Sequence, residues 1–141
     1  MSERAPAAAV DLDALLAEAR AARKRAYAPY SRFHVGAAVA TDAGVFSGAN
    51  VENASYGLAI CAERVAAASA VAAGVRRIEA VAIAGSAPGP TPPCGACRQF
   101  LFEFNPDMLV VSESVNGERR QWRLSELLVD GFGPSDLPGS A

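Results

Sequence analysis

Cysteine is scarce in this chain, and the three that occur make an odd number. A secreted disulfide scaffold normally carries an even count, so the thiols are expected to be reduced and the compartment cytoplasmic. Nothing at the N-terminus reads as a signal peptide. Met1 to Val10 is short, and its apolar part is mostly alanine with Pro6 inside. An excess of basic residues is missing too. Thirteen Lys and Arg stand against fifteen Asp and Glu, for a net charge of −2, which argues against a nucleic-acid-binding surface. Arg20, Arg23, Lys24 and Arg25 do cluster, but on a helical pattern that also carries apolar positions, and they read as a solvated helix face. A membrane span needs about 20 predominantly apolar residues. The best candidate, Gly57 to Gly74, is interrupted by Glu63-Arg64. No internal repeat is visible, and histidine occurs once, at His34.

What is present is apolar. Half of the 141 residues are hydrophobic, enough for the core of one domain. Residues 1 to 10 and 138 to 141 read as flexible tails around a single domain over 11 to 137. Asp11 can cap a helix to about Tyr27, with Leu12, Leu15, Leu16, Ala19, Ala22 and Ala26 as its apolar stripe. Pro29 ends it. His34 to Thr41 and Val45 to Ala49 read as strands around an Asp42-Ala43-Gly44 turn. The Ala-rich run from Gly57 favours a buried helix, and Gly74 stops it. Arg77 to Ala84 contains a third strand, buried at Ile78 to Ile83. Cys94 to Phe104 reads as a short helix with Phe100, Leu101 and Phe104 inward. Met108 to Ser112 and Glu118 to Leu124 are strands joined near Asn116-Gly117, a hairpin signal. Ser125 to Val129 suits a short helical turn. The fold class expected is α/β, three layers (α-β-α) around a mixed five-stranded sheet.

The chemistry lies in the cysteines. Cys61-Ala62-Glu63 opens the central helix, and Pro93-Cys94-Gly95-Ala96-Cys97 opens the next. C-x-E followed by P-C-x-x-C supplies three thiols for one zinc ion. Structural zinc sites are usually closed by four protein ligands, whereas catalytic sites keep one position open for water. The reading is therefore one Zn²⁺ on Cys61, Cys94 and Cys97, with Glu63 beside the open position. His34 competes as a fourth ligand. Helix starts favour negative charge, and thiolate is the metal-binding form.

Three thiolates on a divalent ion leave a net negative charge, so donors to sulfur are needed. Arg64 and Arg98 are the candidates, each against an ordinary structural role. Glu63 is placed as a proton shuttle, a task that suits a carboxylate whose pKa burial has raised. Asn50 and Asn53 lie where a strand passes toward a helix, a place that carries binding residues, although turn chemistry also explains them. Two other readings compete. A dithiol redox site at Cys94 and Cys97 leaves Cys61 and Glu63 unexplained, and a non-catalytic zinc-stabilised binding module has only three cysteines to close it.

At these residues the sequence resembles the small, homotetrameric, zinc-dependent cytidine deaminases. The resemblance runs from about Leu12 to Leu137. It is carried by Ala28-Pro29-Tyr30-Ser31-Arg32-Phe33, Val35-Gly36-Ala37-Ala38, Asn50-Val51-Glu52-Asn53-Ala54-Ser55-Tyr56, Cys61-Ala62-Glu63-Arg64, Pro93-Cys94-Gly95-Ala96-Cys97-Arg98-Gln99 and Phe132-Gly133-Pro134-Ser135-Asp136-Leu137. The cysteine pattern marks the wider superfamily, and the other segments narrow it to the nucleoside enzyme.

The resemblance implies a hydrolase acting on C–N bonds in cyclic amidines. It would convert cytidine and 2′-deoxycytidine to uridine and 2′-deoxyuridine in pyrimidine salvage, releasing ammonia, with one zinc per subunit activating water for attack at ring atom C4. It implies that Asn50 and Glu52 hold the ribose, mainly its 3′-hydroxyl, and that Phe33 packs on the pyrimidine. Backbone groups of Ala62 and Cys94 would read the ring carbonyl and the amino group. Ala54, Tyr56 and Phe132 would complete the sites of neighbouring subunits. Nucleic acid and membrane are not expected partners. A deaminase of a larger aminopyrimidine nucleoside, such as blasticidin S, is the nearest enzymatic alternative. One departure is Val129-Asp130-Gly131, where the family commonly has Pro after Leu-Leu; it bears on the path into Phe132.

Overall fold

A computed structural model of the chain describes residues 10–139. Most of both expected tails, residues 1–9 and 140–141, lies outside the described residues. Helix α1 (Leu12–Arg23) starts where Asp11 accepts the N–H of Ala14 at 3.1 Å, the expected cap. It buries Leu15, Leu16, Ala19 and Ala22. Strands β1 (Val35–Thr41) and β2 (Gly44–Ala49) form an antiparallel hairpin. Helix α2 (Ala62–Ala72) then leads to β3 (Ala80–Gly85), α3 (Gly95–Phe102), β4 (Leu109–Glu113), β5 (Arg119–Arg123) and α4 (Leu124–Leu127).

The five strands make one sheet in the order β2-β1-β3-β4-β5. Only β3 and β4 are parallel, and α3 is the crossover between them. The sheet is mixed, as the sequence pattern predicts. Alternation along each strand sorts the side chains between two faces. Val39, Val81, Ile83 and Val110 face α2 and α3. Ala38, Ala80, Ala82 and Ala84 face α1. The α1 face is nearly all alanine, so α1 lies close to it. Contact is closest at Gly36, where an added Cβ would fall 2.0 Å from the Ala19 carbonyl oxygen. On the opposite layer, a Cβ at Gly48 would fall 2.6 Å from the Ala66 nitrogen. Glycines at these two points set how deeply both helices seat on the sheet.

Four expectations are corrected. Helix α1 ends at Arg23, not Tyr27, because Tyr27 pairs as a β-bridge with Val51. The central helix opens at the cysteine motif as expected, with Cys61 as its N-cap and Ala62 its first residue, but the stretch from Gly57 to Ile60 stays outside it. Tyr56–Leu58 is a 3₁₀ turn, and Ile60 exchanges backbone hydrogen bonds with Val51 at 2.9 Å. This helix is also buried on one face only: Ala62, Glu63, Ala66, Ala67 and Ala70 are inside, while Ala68, Ser69, Ala72 and Ala73 are exposed. Its end is as expected. Gly74 has φ +101°, and Gly74 and Val75 donate back to Val71 and Ala70 at 3.0 Å, a Schellman closure. The basic cluster on α1 is not uniformly solvated either. Arg20 pairs with Glu113 at 2.5 Å, and Arg23 donates to the Gly85 carbonyl at 2.9 Å.

Candidate active site

The site forms where β3 ends and the chain leaves for α3, the usual ligand-binding end of a parallel strand pair. Cys61 is the N-cap residue of α2 and Cys94 that of α3, both with extended backbones. Neither makes a side-chain cap hydrogen bond, so both thiols are free to turn toward each other. Cys97 lies one turn into α3 and is buried. The Cys61 and Cys94 sulfurs are 3.7 Å apart, and all three sulfurs lie within 4.8 Å of one another. No disulfide joins them. A tetrahedral zinc ion with sulfurs at about 2.3 Å holds neighbouring sulfurs about 3.8 Å apart, so the donor set fits that ion. The grouping also unites Cys61 with the C-x-x-C pair, which a two-thiol redox site does not require. His34 stands outside the group; its backbone N–H donates to Ser86.

The electrostatics are strongly asymmetric. A hydrogen bond from Cys97 draws the Cys61 thiol down to about 5 against the opposing effect of burial, with Arg64 assisting. Arg64 Nη2 donates to the Cys61 sulfur at 3.5 Å. Donation to Cys61 and burial push Cys97 the other way, above an ordinary thiol. Glu63 sits in the first turn of α2 with 5% of its surface exposed. Desolvation raises its carboxyl to about 7, outweighing the hydrogen bonds that lower it. A carboxyl in that range can both take and give a proton near neutrality.

A cavity of about 160 Å³ opens over the cysteines. Phe33, Asn50, Cys61, Ala62, Glu63 and Cys94 line it, so six of the sequence-predicted residues do converge. Val35, Thr91 and Pro92 complete the wall. Thr91 and Pro92 stand in a Pro/Gly-rich stretch just before the cysteine pair, a place that is itself a usable signal. Ser112 secures that loop by donating to the Thr91 carbonyl at 2.7 Å.

The remaining candidates take other places. Asn50 clamps the entry to β1: its Oδ1 accepts the Val35 N–H at 2.9 Å and its Nδ2 donates to the Phe33 carbonyl at 2.8 Å. One donor and one acceptor position remain on the amide. Asn53 shows turn chemistry, its Oδ1 accepting the Ser55 N–H at 2.8 Å. Glu52 does not line this cavity; it faces another hollow, of about 330 Å³, beside Tyr30, Ser31 and Tyr56. Its pKa is held below the usual carboxylate range, first by the Ser31 hydroxyl and then by backbone N–H groups.

Ala54, Tyr56 and Phe132 are exposed, Tyr56 at 78%, and none lines the cavity. Arg98 donates to carbonyls instead of to sulfur. It holds the Pro93 carbonyl at 2.8 Å and the Leu127 carbonyl at 3.0 Å, fixing the loop ahead of Cys94. Asp130 turns the chain through a φ of +52°, and Gln99 then anchors the Phe132 carbonyl at 2.7 Å. That is how the chain enters Phe132 without the proline. A larger hollow of about 570 Å³ lies near Arg76, Phe104 and Asp136 and contains none of the cysteines.

A family profile for the cytidine and deoxycytidylate deaminase zinc-binding region matches residues 10–113. A cytidine deaminase from Sporosarcina psychrophila is 42% identical over 134 residues, spanning 94% of this chain and 98% of that protein. One from Halalkalibacterium halodurans is 45% identical over 130 residues, spanning 91% and 98%. Among solved structures, a cytidine deaminase from Burkholderia pseudomallei superposes with a TM-score of 0.82 at 52% identity, covering 85% of this chain and 98% of its own.

Proposed function

The chain belongs to the cytidine and deoxycytidylate deaminase family, and from that premise we propose that it hydrolyses cytidine and 2′-deoxycytidine to uridine and 2′-deoxyuridine, releasing ammonia. One observation carries the reading. Three sulfurs within 4.8 Å of one another stand beside a buried carboxyl, in a cavity walled by an aromatic ring and an amide. Cys61, Cys94 and Cys97 hold one zinc ion. When bound, zinc supplies Lewis acidity that makes water a nucleophile near neutral pH.

The chain's own groups do the rest. Phe33 packs on the pyrimidine and directs its C4 edge toward the cysteines. The N–H of Ala62, in the first turn of α2 where no intrahelical acceptor exists, reads the ring carbonyl. The backbone of Cys94 reads the amino group. Glu63 takes one proton of the attacking water as its oxygen adds to C4 and passes it to N3. It then takes the remaining proton of the new C4 hydroxyl and gives it to the amine as the C4–N bond breaks, leaving a carbonyl at C4 and ammonia. Its elevated pKa suits both directions of transfer. Asn50, through its spare donor and acceptor, and Glu52, as an ionised acceptor, hold the sugar hydroxyls. A site built to hydrogen-bond a hydroxyl rejects analogues lacking it. Arg64 donates to the Cys61 sulfur, which draws off thiolate charge. Arg98 supports the cysteine loop.

The protein works as a homotetramer. A cavity of about 160 Å³ is smaller than the roughly 300 Å³ at which small-molecule sites usually begin, and exposed Ala54, Tyr56 and Phe132 are available to complete the sites of neighbouring copies. The enzyme acts in pyrimidine salvage in the cytoplasm. Among the described residues no helix is long and apolar enough to cross a membrane. Ultraviolet absorbance of cytidine, followed with zinc-loaded protein and after chelation, tests the reading. Turnover that chelation abolishes is expected; zinc-loaded protein that leaves cytidine intact overturns it. Equal processing of free cytosine would remove the sugar contacts.

A further inference from the structure

The carboxylate of Glu52 is engaged within its own chain. Its Oε1 accepts the backbone N–H groups of Tyr30 at 3.0 Å and Ser31 at 3.1 Å. Its Oε2 accepts the Ser31 hydroxyl. The same hydroxyl oxygen accepts the N–H of Phe33 at 3.0 Å. A serine hydroxyl carries one proton and two lone pairs. Here the proton goes to Glu52 and a lone pair to Phe33, so the hydroxyl is oriented in one sense.

Arg32, between the two, has φ +59°, a left-handed conformation that a residue with a side chain rarely adopts. Such a backbone persists only where its surroundings over-determine it. Ser31 supplies bonds on both sides of it. An ionised carboxylate offers about four lone-pair positions. Three already accept from Tyr30 and Ser31, which leaves one on Oε2, beside the Ser31 hydroxyl.

We infer that Ser31 is a positioning residue for substrate binding: its hydroxyl aims the remaining acceptor of Glu52 at a sugar hydroxyl and ties that carboxylate to the Phe33 segment that packs on the base. The inference rests on the reading of Glu52 as a sugar ligand. Ser31 touches no reacting atom, so it acts on KM and not on kcat. Threonine keeps the hydroxyl; alanine removes both bonds at once.

Steady-state kinetics on zinc-loaded Ser31→Ala, Ser31→Thr, Glu52→Ala and the double alanine variant test this with cytidine. Ser31→Ala is expected to raise KM about tenfold with kcat within about twofold. Ser31→Thr restores KM to within about threefold of the parent, because a charge-assisted bond to Glu52 re-forms. In the Glu52→Ala background, removing Ser31 adds less than about twofold, because the acceptor it aims is gone. Where alanine impairs folding, Ser31→Cys gives the same readout with a near-isostere and a weak donor.

An unaltered KM in Ser31→Ala, a loss confined to kcat, or fully additive effects of the two alanines overturns the inference. If Glu52→Ala raises KM and Ser31→Ala does not, Ser31 alone is misassigned. If Glu52→Ala itself leaves KM unchanged, Glu52 is not the sugar ligand and the role of Ser31 falls with it.

Discussion

Replacing Gly48 with alanine is expected to damage a site that Gly48 does not touch. Gly48 lies on β2 opposite Ala37 of β1 and directly beneath α2. A Cβ there would stand 2.6 Å from the Ala66 nitrogen and 2.8 Å from the Val65 Cγ1, where ordinary contact begins at 3.4 Å. The nearer atom is backbone, so no rotamer change relieves it. Helix α2 has to move outward by about 0.8 Å, the difference between those two distances. Overpacking of this kind costs about 1–3 kcal/mol. Alanine also lowers the entropy of the unfolded chain, which returns about 0.4–1 kcal/mol. The clash wins, with a net loss of about 0.5–2 kcal/mol. For a domain of this size that lowers the melting temperature by about 2–10 °C.

The consequence for function is larger. Cys61 and Glu63 ride on α2, while Cys94 and Cys97 ride on α3. The shift therefore changes the distance between sulfurs on two different elements. A misplacement near 1 Å costs about 100-fold in a positioned reaction, so kcat/KM for cytidine should fall about 10–100-fold and zinc should be lost at a lower chelator concentration. Gly89→Ala is the control: a Cβ there meets nothing within 4 Å, and its stability should change by less than about 0.5 kcal/mol. Thermal melting, elemental zinc and initial rates read all of this. A Gly48→Ala protein that melts and turns over like the parent refutes the packing argument. One that melts lower yet keeps full kcat/KM refutes the link from helix seating to the cysteines.

Glu63→Gln should keep stoichiometric zinc by elemental analysis and lose nearly all turnover, since the amide cannot accept and pass on a proton; substantial remaining activity takes Glu63 out of the mechanism. Cys97→Ala, which removes the buried sulfur, should fail to retain zinc through gel filtration, whereas metal bound as in the parent excludes Cys97 as a ligand. Asn50→Ala should raise the KM for cytidine about tenfold and also lower the melting temperature, because the amide has both sugar and backbone work to do.

Glu113→Gln should cost about 1–2 kcal/mol at pH 7, given the half-exposed arginine partners. Burial pushes this carboxyl up, but hydrogen bonds from Arg119 and Arg20 outweigh it and hold the folded value below the usual range. The added stability is therefore complete above the unfolded pKa of about 4.3 and is lost as pH falls through the lower, folded one. Denaturant midpoints of parent and variant should converge on acidification; a constant gap would separate Glu113 from acid unfolding.

Much of the fold could be read from residue order because it is encoded locally. Alternating small and branched residues mark β1 and β3, Asp11 marks a helix start, and Gly74 marks a helix end. Element ends differed by a few residues where a long-range partner intervened. Tyr27 leaves α1 because it donates to the Asn50 carbonyl and accepts from the Glu52 N–H, on either side of Val51, and Ile60 stays out of α2 because it exchanges hydrogen bonds with Val51 itself. Alanine content speaks for helix up to Gly57 and cannot register a competing strand partner. Single-sided burial of α2 was hidden for a related reason. Alanine suits inside and outside alike, so the run carries no amphipathic period to reveal which face is covered.

The three-cysteine cluster was legible for the opposite reason: thiols are rare, and their spacing and place at helix starts leave few geometries open. The residues around them were not, because their partners are backbone groups distant in sequence. Arg98 follows a cysteine yet spends its donors on carbonyls at Pro93 and Leu127. Asn50 reads as a binding amide and is also the clamp that presents Phe33 to the cavity. Glu52 reads as a ligand and is at the same time bonded through Ser31 to Phe33. For Asn50 and Glu52, the side chain proposed to meet the sugar is held by bonds that also shape the backbone beside it. Under the proposed reading, the sugar and base contacts would therefore be coupled through one loop, Tyr30 to Val35, and a change at either end should be felt at the other.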